Sequence, residues 1–224
     1  MRVVLRIGGS VVASPINAEL IVKYADVVRK LERENHELIV VVGGGSLARE
    51  FISVAKSLGL DMQAQDEVAI SVSRLFAHLF LKRLGRVACN KVACTLDEAE
   101  ECLNKGRIVV MGGLKPGITT DAVAALVAER VNSKLLIKGT DQNGIYDKDP
   151  RKYPNAVKLS RLTFDDLQHV FSESQHKAGM HQIVDPEAVK VFKRNCIKLI
   201  VVNGFVPHNI LDAINGADIG TVVQ

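Results

Sequence analysis

Consecutive glycines end three apolar segments of this 224-residue chain. The segments read RIGGS at 6–10, VVGGGSLARE at 41–50 and VMGGLKPGITTD at 110–121. Because glycine lacks a Cβ atom, its N–H group can approach a ligand closely, and a helix that begins just beyond adds partial positive charge. This arrangement suits phosphate, although any single glycine pair could be an ordinary tight turn. Neither Walker A spacing nor G-x-G-x-x-G occurs, so the common nucleotide-binding folds are not supported.

Two arginines flank these glycines. Arg6 stands two residues before the first pair, and Arg49 lies one turn into the helix predicted after the second segment. A cation at that place in a helix is unfavourable with the helix dipole unless an anion lies between them. Arg49 therefore favours a bound anion, with a surface pair to Glu50 or Glu67 as the alternative.

The third segment leads into a helix through Thr119 and Thr120, whose hydroxyl and N–H groups could meet a phosphate. We expect the helix behind them to be free of charge and apolar on all sides, because it would lie under the site against a sheet. Asp66, near another predicted helix start, is either a helix cap or a hydrogen-bond acceptor for a ligand.

A fourth segment, KGTDQNGIYDKDP at 138–150, is rich in turn-forming residues. Ile145 and Tyr146 in its middle need a surface to pack on, and such side chains can cover a nucleobase while polar neighbours meet its edge and ribose. An ordinary loop is the alternative. Lys138 is expected to end its strand at the surface, with a catalytic role as the less favoured interpretation.

Short apolar runs alternate with helical patterns through most of the chain, which predicts a mainly parallel sheet with helices on both faces. The predicted strands are 2–7, 37–42, 107–111, 134–138 and 198–202, and the predicted helices are 17–34, 46–58, 66–84, 96–105, 120–131, 163–171, 186–194 and 207–214. In such folds ligands bind at the carboxyl ends of the strands, where the glycine segments fall. We expect residues 1–224 to form a single domain.

Composition excludes several classes of protein. Hydrophobic residues make up 47% of the chain, charged residues 24%, and the formal charge of +4 is scattered along the predicted helices, which argues against a nucleic-acid partner. No apolar run approaches the ~20 residues that cross a bilayer, and no signal peptide is recognisable, so we expect a cytoplasmic protein without a membrane partner.

The cysteines and histidines indicate no metal site. The spacing of Cys89, Cys94, Cys102 and Cys196 predicts reduced structural thiols. His176 and His181 are five residues apart and would not align on one helical face, so no metal is assigned to them.

In their order along the chain, these segments resemble the amino-acid kinase superfamily and, within it, the archaeal-type UMP kinases. The resemblance covers nearly the whole chain, including IVDPEAVKV at 183–191 and a Gly-Thr pair near the end, and its most specific part is MGGLKPGITTDAVAALVAE at 111–129. It implies an α/β fold, a three-layer αβα sandwich around a mostly parallel sheet of roughly eight strands. The acceptor would lie over the N-terminal half and ATP over the C-terminal half, in a homohexamer built as a trimer of dimers.

The resemblance also implies residue roles. ATP would be bound by Arg6, Ile7, Gly8, Gly9, Ser10, Gly45, Arg49, Thr140, Asn143, Tyr146 and Asp149, of which Arg6, Gly8 and Gly9 would be catalytic. UMP would be bound by Gly44, Asp66, Leu114, Lys115, Pro116, Gly117, Ile118, Thr119 and Thr120. Mg²⁺ would arrive with ATP rather than in a protein metal site. Two positions depart from the family pattern: Arg6 replaces the usual lysine, and Asn143 replaces a common aspartate.

The implied activity is reversible transfer of the γ-phosphoryl group of ATP to UMP, which supplies pyrimidine nucleotides. The phosphate dianion of UMP is already nucleophilic, so no catalytic base is required. The alternatives are a kinase of the same superfamily that acts on carbamate, an amino-acid carboxylate or isopentenyl phosphate, and a non-catalytic protein that binds oxyanions.

Overall fold

The computed structural model describes residues 1–167 and 183–224. Its strands are β1 (Arg2–Ile7), β2 (Glu37–Val42), β3 (Val109–Met111), β4 (Leu135–Thr140), β5 (Ile145–Tyr146), β6 (Lys158–Leu159), β7 (Arg161–Leu162), β8 (Lys198–Asn203) and β9 (Thr221–Val223). Its helices are α1 (Gly9–Val12), α2 (Ala18–Arg33), α3 (Gly45–Ser57), α4 (Met62–Leu84), α5 (Leu96–Asn104), α6 (Thr120–Arg130), α7 (Pro186–Asn195) and α8 (His208–Ile214).

Seven strands form the main sheet, in the order β3-β2-β1-β4-β8-β9-β7. The first five of these are parallel, and β9 joins β8 in the antiparallel direction. Strands β5 and β6 form a separate antiparallel pair. The predicted α/β class and mostly parallel sheet are therefore confirmed, with seven strands in the main sheet of the described residues.

Side chains of the central strands alternate between two hydrophobic clusters, since successive residues of a strand face opposite sides of a sheet. On one side, Leu5 packs in a cluster with Tyr24 of α2 and Phe80 of α4. On the other, Val4 packs with Val123 of α6 and Phe192 of α7. The sheet is thus the middle layer of three, which explains why its strands are apolar on both faces.

Local capping explains most helix starts. Thr95 accepts a hydrogen bond from the N–H of Glu98 at 3.1 Å, and Thr163 accepts one from the N–H of Asp166, so each threonine caps a helix start. Helix α4 begins at Met62, four residues before the predicted start, because Asp61 caps it. The helix predicted at 163–171 is helical over 164–167, with Thr163 just before it, and residues 168–171 lie outside the described ranges.

Two of the four cysteines are joined in the structure. Cys89 and Cys102 form a disulfide with a Cα–Cα distance of 6.2 Å, so the expectation of four reduced thiols is wrong for this pair. Cys102 lies on α5 and Cys89 lies in the segment before that helix. The fold brings the two residues together, and their separation of 13 residues in the sequence does not reveal this. His176 and His181 lie outside the described residues.

In the described ranges, 1–167 and 183–224, no helix is long and apolar enough to cross a membrane.

The buried hydroxyl of Tyr24 ties α2 to the end of β8. It donates a hydrogen bond to the carbonyl oxygen of Gly204 at 2.8 Å, and a Cβ atom on Gly139 would lie 2.6 Å from it. Burial raises the pKa of Tyr24, so the phenol stays protonated. Glycine at 139 is therefore required by the close approach of this side chain.

We expect Tyr24→Phe to lower the free energy of unfolding by about 1–3 kcal/mol, because it leaves a buried carbonyl without its donor. Urea denaturation would measure the change. Tyr153→Phe, at an exposed position, is the matched control and should have no effect. Equal stability of the Tyr24 variant and the wild type would contradict the prediction.

Candidate functional site

The glycine segments meet at the carboxyl edge of the sheet, where β1, β2, β3 and β4 end. Arg6 on β1 is in register with Lys138 on β4, so both side chains leave the same face of the sheet as neighbours. The first turn of α6 brings Asp121 to that face. Three charged side chains therefore meet beneath the glycine loops.

Asp121 pairs with both cations. Its Oδ1 lies 2.7 Å from Nε of Arg6, and its Oδ2 accepts a hydrogen bond from Nζ of Lys138. Lys138 also donates to the carbonyl oxygen of Ile183. We call Arg6, Asp121 and Lys138 the charged triad; it carries two positive charges and one negative, and its side chains are only 8–13% exposed.

Burial alone would raise the pKa of the Asp121 carboxyl, but the charges of Arg6 and Lys138 and the hydrogen bond from Lys138 hold it below its usual value. Asp121 is thus ionised at neutral pH. Two sequence expectations are wrong here: Lys138 is buried rather than at the surface, and α6 carries a charge under the site. Whether Lys138 and Asp121 are buried depends on which residues of neighbouring strands lie side by side, and sequence patterns do not reveal that register.

The guanidinium of Arg6 has a second partner. Its Nη2 donates to Oγ1 of Thr120 at 2.7 Å, beside the ion pair to Asp121. An arginine can hold two acceptors in this fixed geometry, which a lysine ammonium does not reproduce. Arg6 therefore joins the end of β1 to the start of α6.

A cleft of about 660 Å³ opens above the triad. Of the predicted residues, those lining it are Arg6, Gly8, Gly9, Ser10, Gly44, Gly45, Arg49, Thr119, Thr120 and Thr140. Residues that line it without having been assigned to the site are Gly43, Ile52, Asp121, Lys138, Asp141, Gln142, Arg151 and Ile183. The lining is positively charged overall, because it has four basic side chains (Arg6, Arg49, Lys138 and Arg151) and two acidic ones (Asp121 and Asp141).

Close contact between two loops explains the glycines of this cleft. A Cβ atom on Gly9 would lie 2.1 Å from the N atom of Gly45, and one on Gly45 would lie 2.3 Å from the carbonyl oxygen of Gly9. Gly45 also has a φ of +62°, which glycine tolerates best. Gly9 and Gly45 begin helices, where the first N–H groups have no intrahelical partner, whereas the N–H of Gly8 already donates to Gly139.

The structure also places two other residues that were predicted to bind ATP. Arg49 is exposed and makes no ion pair with Glu50 or Glu67, both of which lie in the described part of the chain, so the surface-pair alternative is not observed. The side chain of Ile7 lies in the core, and its carbonyl oxygen accepts a hydrogen bond from Gly43.

A smaller pocket adjoins the cleft and shares Gly44, Thr119 and Thr120 with it. Its other lining residues are Ala48, Asp66, Ala69, Ile70, Ser73, Gly113, Lys115 and Ile118. Leu114, Pro116 and Gly117 belong to the same loop and are not among the residues that line this pocket. The two cavities therefore adjoin at the start of α6.

Some polar groups of this pocket already have hydrogen-bond partners within the protein. Oδ2 of Asp66 accepts a hydrogen bond from the N–H of Gly117 at 2.7 Å, and since Asp61 caps α4, the helix-cap interpretation of Asp66 is wrong. The hydroxyl of Thr119 caps α6 and donates to Oδ2 of Asp185. Asp185 thus links the start of α7 to the start of α6, a contact that sequence reasoning missed.

The residues of the 138–150 segment that were predicted to bind ATP lie in three places, and Thr140 is the one that lines the cleft. Asn143 and Tyr146 line a pocket of about 470 Å³ together with Lys158, Asn203, Asn209, Asp218, Ile219 and Gly220. Asp149 is buried and lines none of these cavities; its Oδ1 lies 3.1 Å from Nε of Arg151. Asp149 therefore orients an arginine whose side chain reaches the cleft. Among the described residues, no group of three His, Cys, Asp or Glu side chains could hold a metal ion.

The fold and the cleft define the class: a three-layer αβα protein with a positively charged, glycine-walled cleft at the carboxyl edge of its sheet. A model of the amino acid kinase family matches residues 1–203. The chain is 41% identical over 226 residues to the uridylate kinase of Methanocaldococcus jannaschii, with 100% of both proteins covered. It is also 41% identical over 223 residues to the uridylate kinase of Methanothermobacter thermautotrophicus, with 100% of this chain and 99% of that protein covered.

Among solved structures, the uridylate kinase from Archaeoglobus fulgidus is similar at a TM-score of 0.90 and 38% identity, with 100% of both chains covered. The chain belongs to the amino acid kinase family. The resemblance to archaeal-type uridylate kinases, which rested on four segments, is confirmed over the full length.

We expect Asp121→Asn to lower the free energy of unfolding by about 3–5 kcal/mol at pH 7, because it leaves two buried cations without their anion. The native pKa of Asp121 is lowered, so its contribution is complete above the unfolded-state value near 3.8 and is lost as the pH falls through the native value. Urea denaturation at a series of pH values would measure it. Asp97→Asn, which removes an exposed partner of Arg130, should cost under about 1 kcal/mol, and equal costs would contradict the account.

Proposed function

We propose that this protein is a UMP kinase, which reversibly transfers the γ-phosphoryl group of ATP to UMP and gives UDP and ADP. The observation that carries the proposal is that the smaller pocket, which we call the acceptor pocket, borders the cleft at Thr119 and Thr120. A monophosphate in the smaller pocket would present its oxygens to the positively charged cleft. The full-length similarity to proteins named uridylate kinase supports uridine as the nucleoside.

Positioning and charge cancellation are what the transfer requires, since the acceptor phosphate needs no proton removed. In our proposal ATP phosphates lie along the N–H groups at the starts of α1 and α3, beside Arg49. Arg6 faces the transferred group from below. Charge that develops on the phosphoryl oxygens is stabilised there by a donor fixed in advance, which avoids reorganisation during the reaction.

Asp121 acts as a positioning residue in this mechanism. Alone, Arg6 and Lys138 would repel one another in a buried site, and the carboxylate between them holds both in one arrangement. The triad keeps one net positive charge toward the cleft. Thr120, held by Arg6, then places the acceptor phosphate against the same cation.

Mg²⁺ is proposed to arrive with ATP and to be held mainly by ATP oxygens. Asp141 and Gln142 line the cleft, and Oε1 of Gln142 is buried with no hydrogen-bond partner among the described residues. Oxygen ligands of this kind suit Mg²⁺. When bound, the ion would neutralise phosphate charge, while Arg6 and Lys138 supply the protein's own cations.

The cellular setting is also part of the proposal: a cytoplasmic enzyme of CTP and UTP biosynthesis, acting on small molecules without nucleic-acid or membrane partners. We propose a single domain, with the acceptor over the N-terminal half and ATP over the C-terminal half. We also propose a homohexamer; contact between copies is supported by exposed apolar side chains between α3 and the start of α4, namely Phe51, Val54, Leu58 and Met62. Such a face is typical of subunit interfaces.

One assay separates this function from the alternatives. Purified protein is incubated with ATP and Mg²⁺, and ADP formation is followed with UMP, CMP, dUMP, carbamate, an amino-acid carboxylate or isopentenyl phosphate as acceptor. We expect release of ADP that depends on UMP. Activity with another acceptor alone would indicate a sibling kinase, and no turnover with any acceptor would favour an oxyanion-binding protein.

We expect Arg6→Ala to lower kcat by at least ~10²-fold, because it removes the cation nearest the transferred group. The KM for UMP should change little by comparison. Steady-state kinetics with UMP and ATP varied separately would measure both. Arg2→Ala, at the other end of β1, is the control, and unchanged turnover of the Arg6 variant would show that another cation serves this step.

Asp66→Ala should mainly raise the KM for UMP, since its carboxylate faces the acceptor pocket and is proposed to accept hydrogen bonds from the ribose. The KM for ATP should stay near the wild-type value. Glu67→Ala, the exposed neighbour, should match the wild type. An effect on kcat alone would contradict the ribose assignment.

A further inference from the structure

One face of α4 is bound to the loop that runs from Gly112 to Ile118, which we call the acceptor loop. Asp66, Ser73 and Arg74 all contact it by hydrogen bonds, and their spacing of seven and eight residues places them on one side of a helix. Asp66 holds the far end of the loop at the N–H of Gly117. The helix therefore serves as a template for the loop.

The near end of the acceptor loop packs tightly on the same face. A Cβ atom on Gly112 would lie 2.7 Å from the backbone N atom of Arg74, and one on Gly113 would lie 2.9 Å from Cγ1 of Ile70. Oγ of Ser73 accepts a hydrogen bond from the N–H of Gly113 at 2.8 Å. Because these two loop residues have no side chains, the backbone of the loop lies directly against this face of the helix.

Arg74 makes two hydrogen bonds to the loop, whereas Asp66 and Ser73 make one each. Its Nε donates to the carbonyl oxygen of Gly113 and its Nη2 to that of Leu114, both at 2.9 Å. Hydrogen bonds from a charged donor are stronger than neutral ones, and the planar guanidinium fixes the direction of both carbonyls. Arg74 itself is not among the residues that line the acceptor pocket.

We propose that Arg74 is a positioning residue that sets the affinity for the acceptor nucleotide by holding the acceptor loop in its binding-competent form. The inference rests on the proposed function and extends it to a residue that does not touch the substrate. Without Arg74, two loop carbonyls lose their donor, and the hydrogen bonds of Ser73 and Asp66 are left to hold the loop, so arrangements other than the binding-competent one become more populated. Acceptor binding would then have to order the loop, so the apparent affinity falls with the competent fraction.

The kinetic test compares three variants with the wild type. Arg74→Ala and Arg74→Met should raise the KM for UMP by about 10-fold or more, with kcat and the KM for ATP within about 3-fold of the wild type. The methionine variant keeps most of the packing volume, so its agreement with alanine separates hydrogen bonding from packing. Arg74→Lys can reach one of the two carbonyls and should give an intermediate KM.

Arg83→Ala is the matched control, because Arg83 lies on the same helix and its side chain pairs with Asp26 on the surface. It should leave every kinetic constant unchanged. If Arg74→Ala does not fold, as judged by circular dichroism, the lysine and methionine variants decide the question.

Hydrogen exchange of the protein without nucleotide gives a readout that does not depend on activity. The amides of Gly113 and Gly117 should exchange at least about 10-fold faster in the alanine and methionine variants and at the wild-type rate in Arg83→Ala. Unchanged protection of these amides, or an unchanged KM for UMP beside faster exchange, would overturn the proposal. If the wild type releases no ADP with UMP, the proposed function fails, whereas the exchange data still show whether Arg74 orders the loop.

Discussion

Asp121 carries a negative charge between two buried cations, and much of the site depends on that arrangement. Parallel pairing of β1 with β4 places Arg6 beside Lys138 on one face of the sheet. Their mutual repulsion in a buried setting requires an anion, and the first turn of α6 supplies it. Because α6 must therefore begin above these two strands, the acceptor loop that precedes it has to end at the same edge. The charge balance of three residues thus fixes where the acceptor pocket meets the cleft.

Close backbone contacts complete this edge of the sheet. Gly9 and Gly45 touch at a distance that excludes any side chain, which brings the starts of α1 and α3 together. On the other side, α4 holds the acceptor loop through Asp66, Ser73 and Arg74. Several predicted binding groups therefore have structural partners already, and ligand contacts must come from the atoms that remain free. Arg49 has such a free side chain within the described residues.

The sequence allowed much of the fold to be predicted, because strands buried on both faces form continuous apolar runs. Strands β1 and β2 begin and end at the predicted residues, whereas β5, β6, β7 and β9 have only two or three residues each and leave no periodic signal. Arg6, Gly9 and the Thr119–Thr120 pair were predicted at the cleft from their spacing and lie there. The burial of Lys138 and Asp121 was not predicted. A charged residue in an apolar segment is buried only when a partner of opposite charge from a distant segment lies beside it, and the sequence does not show that partner. Asp185 and Arg74 likewise act through contacts with residues 39 or more positions away.

The central claim is that donor and acceptor phosphates meet above the charged triad, between the glycine loops and the start of α6. A crystal structure with UMP and a non-hydrolysable ATP analogue tests it most directly, through the distance between the γ-phosphorus and the nearest UMP phosphate oxygen. The account predicts that this distance is about 3–3.5 Å, the separation of reacting atoms in a productive complex, with Arg6 in contact with the γ-phosphate and Thr120 beside the acceptor. A UMP molecule bound away from Thr120, or a γ-phosphate that does not contact Arg6, would contradict it.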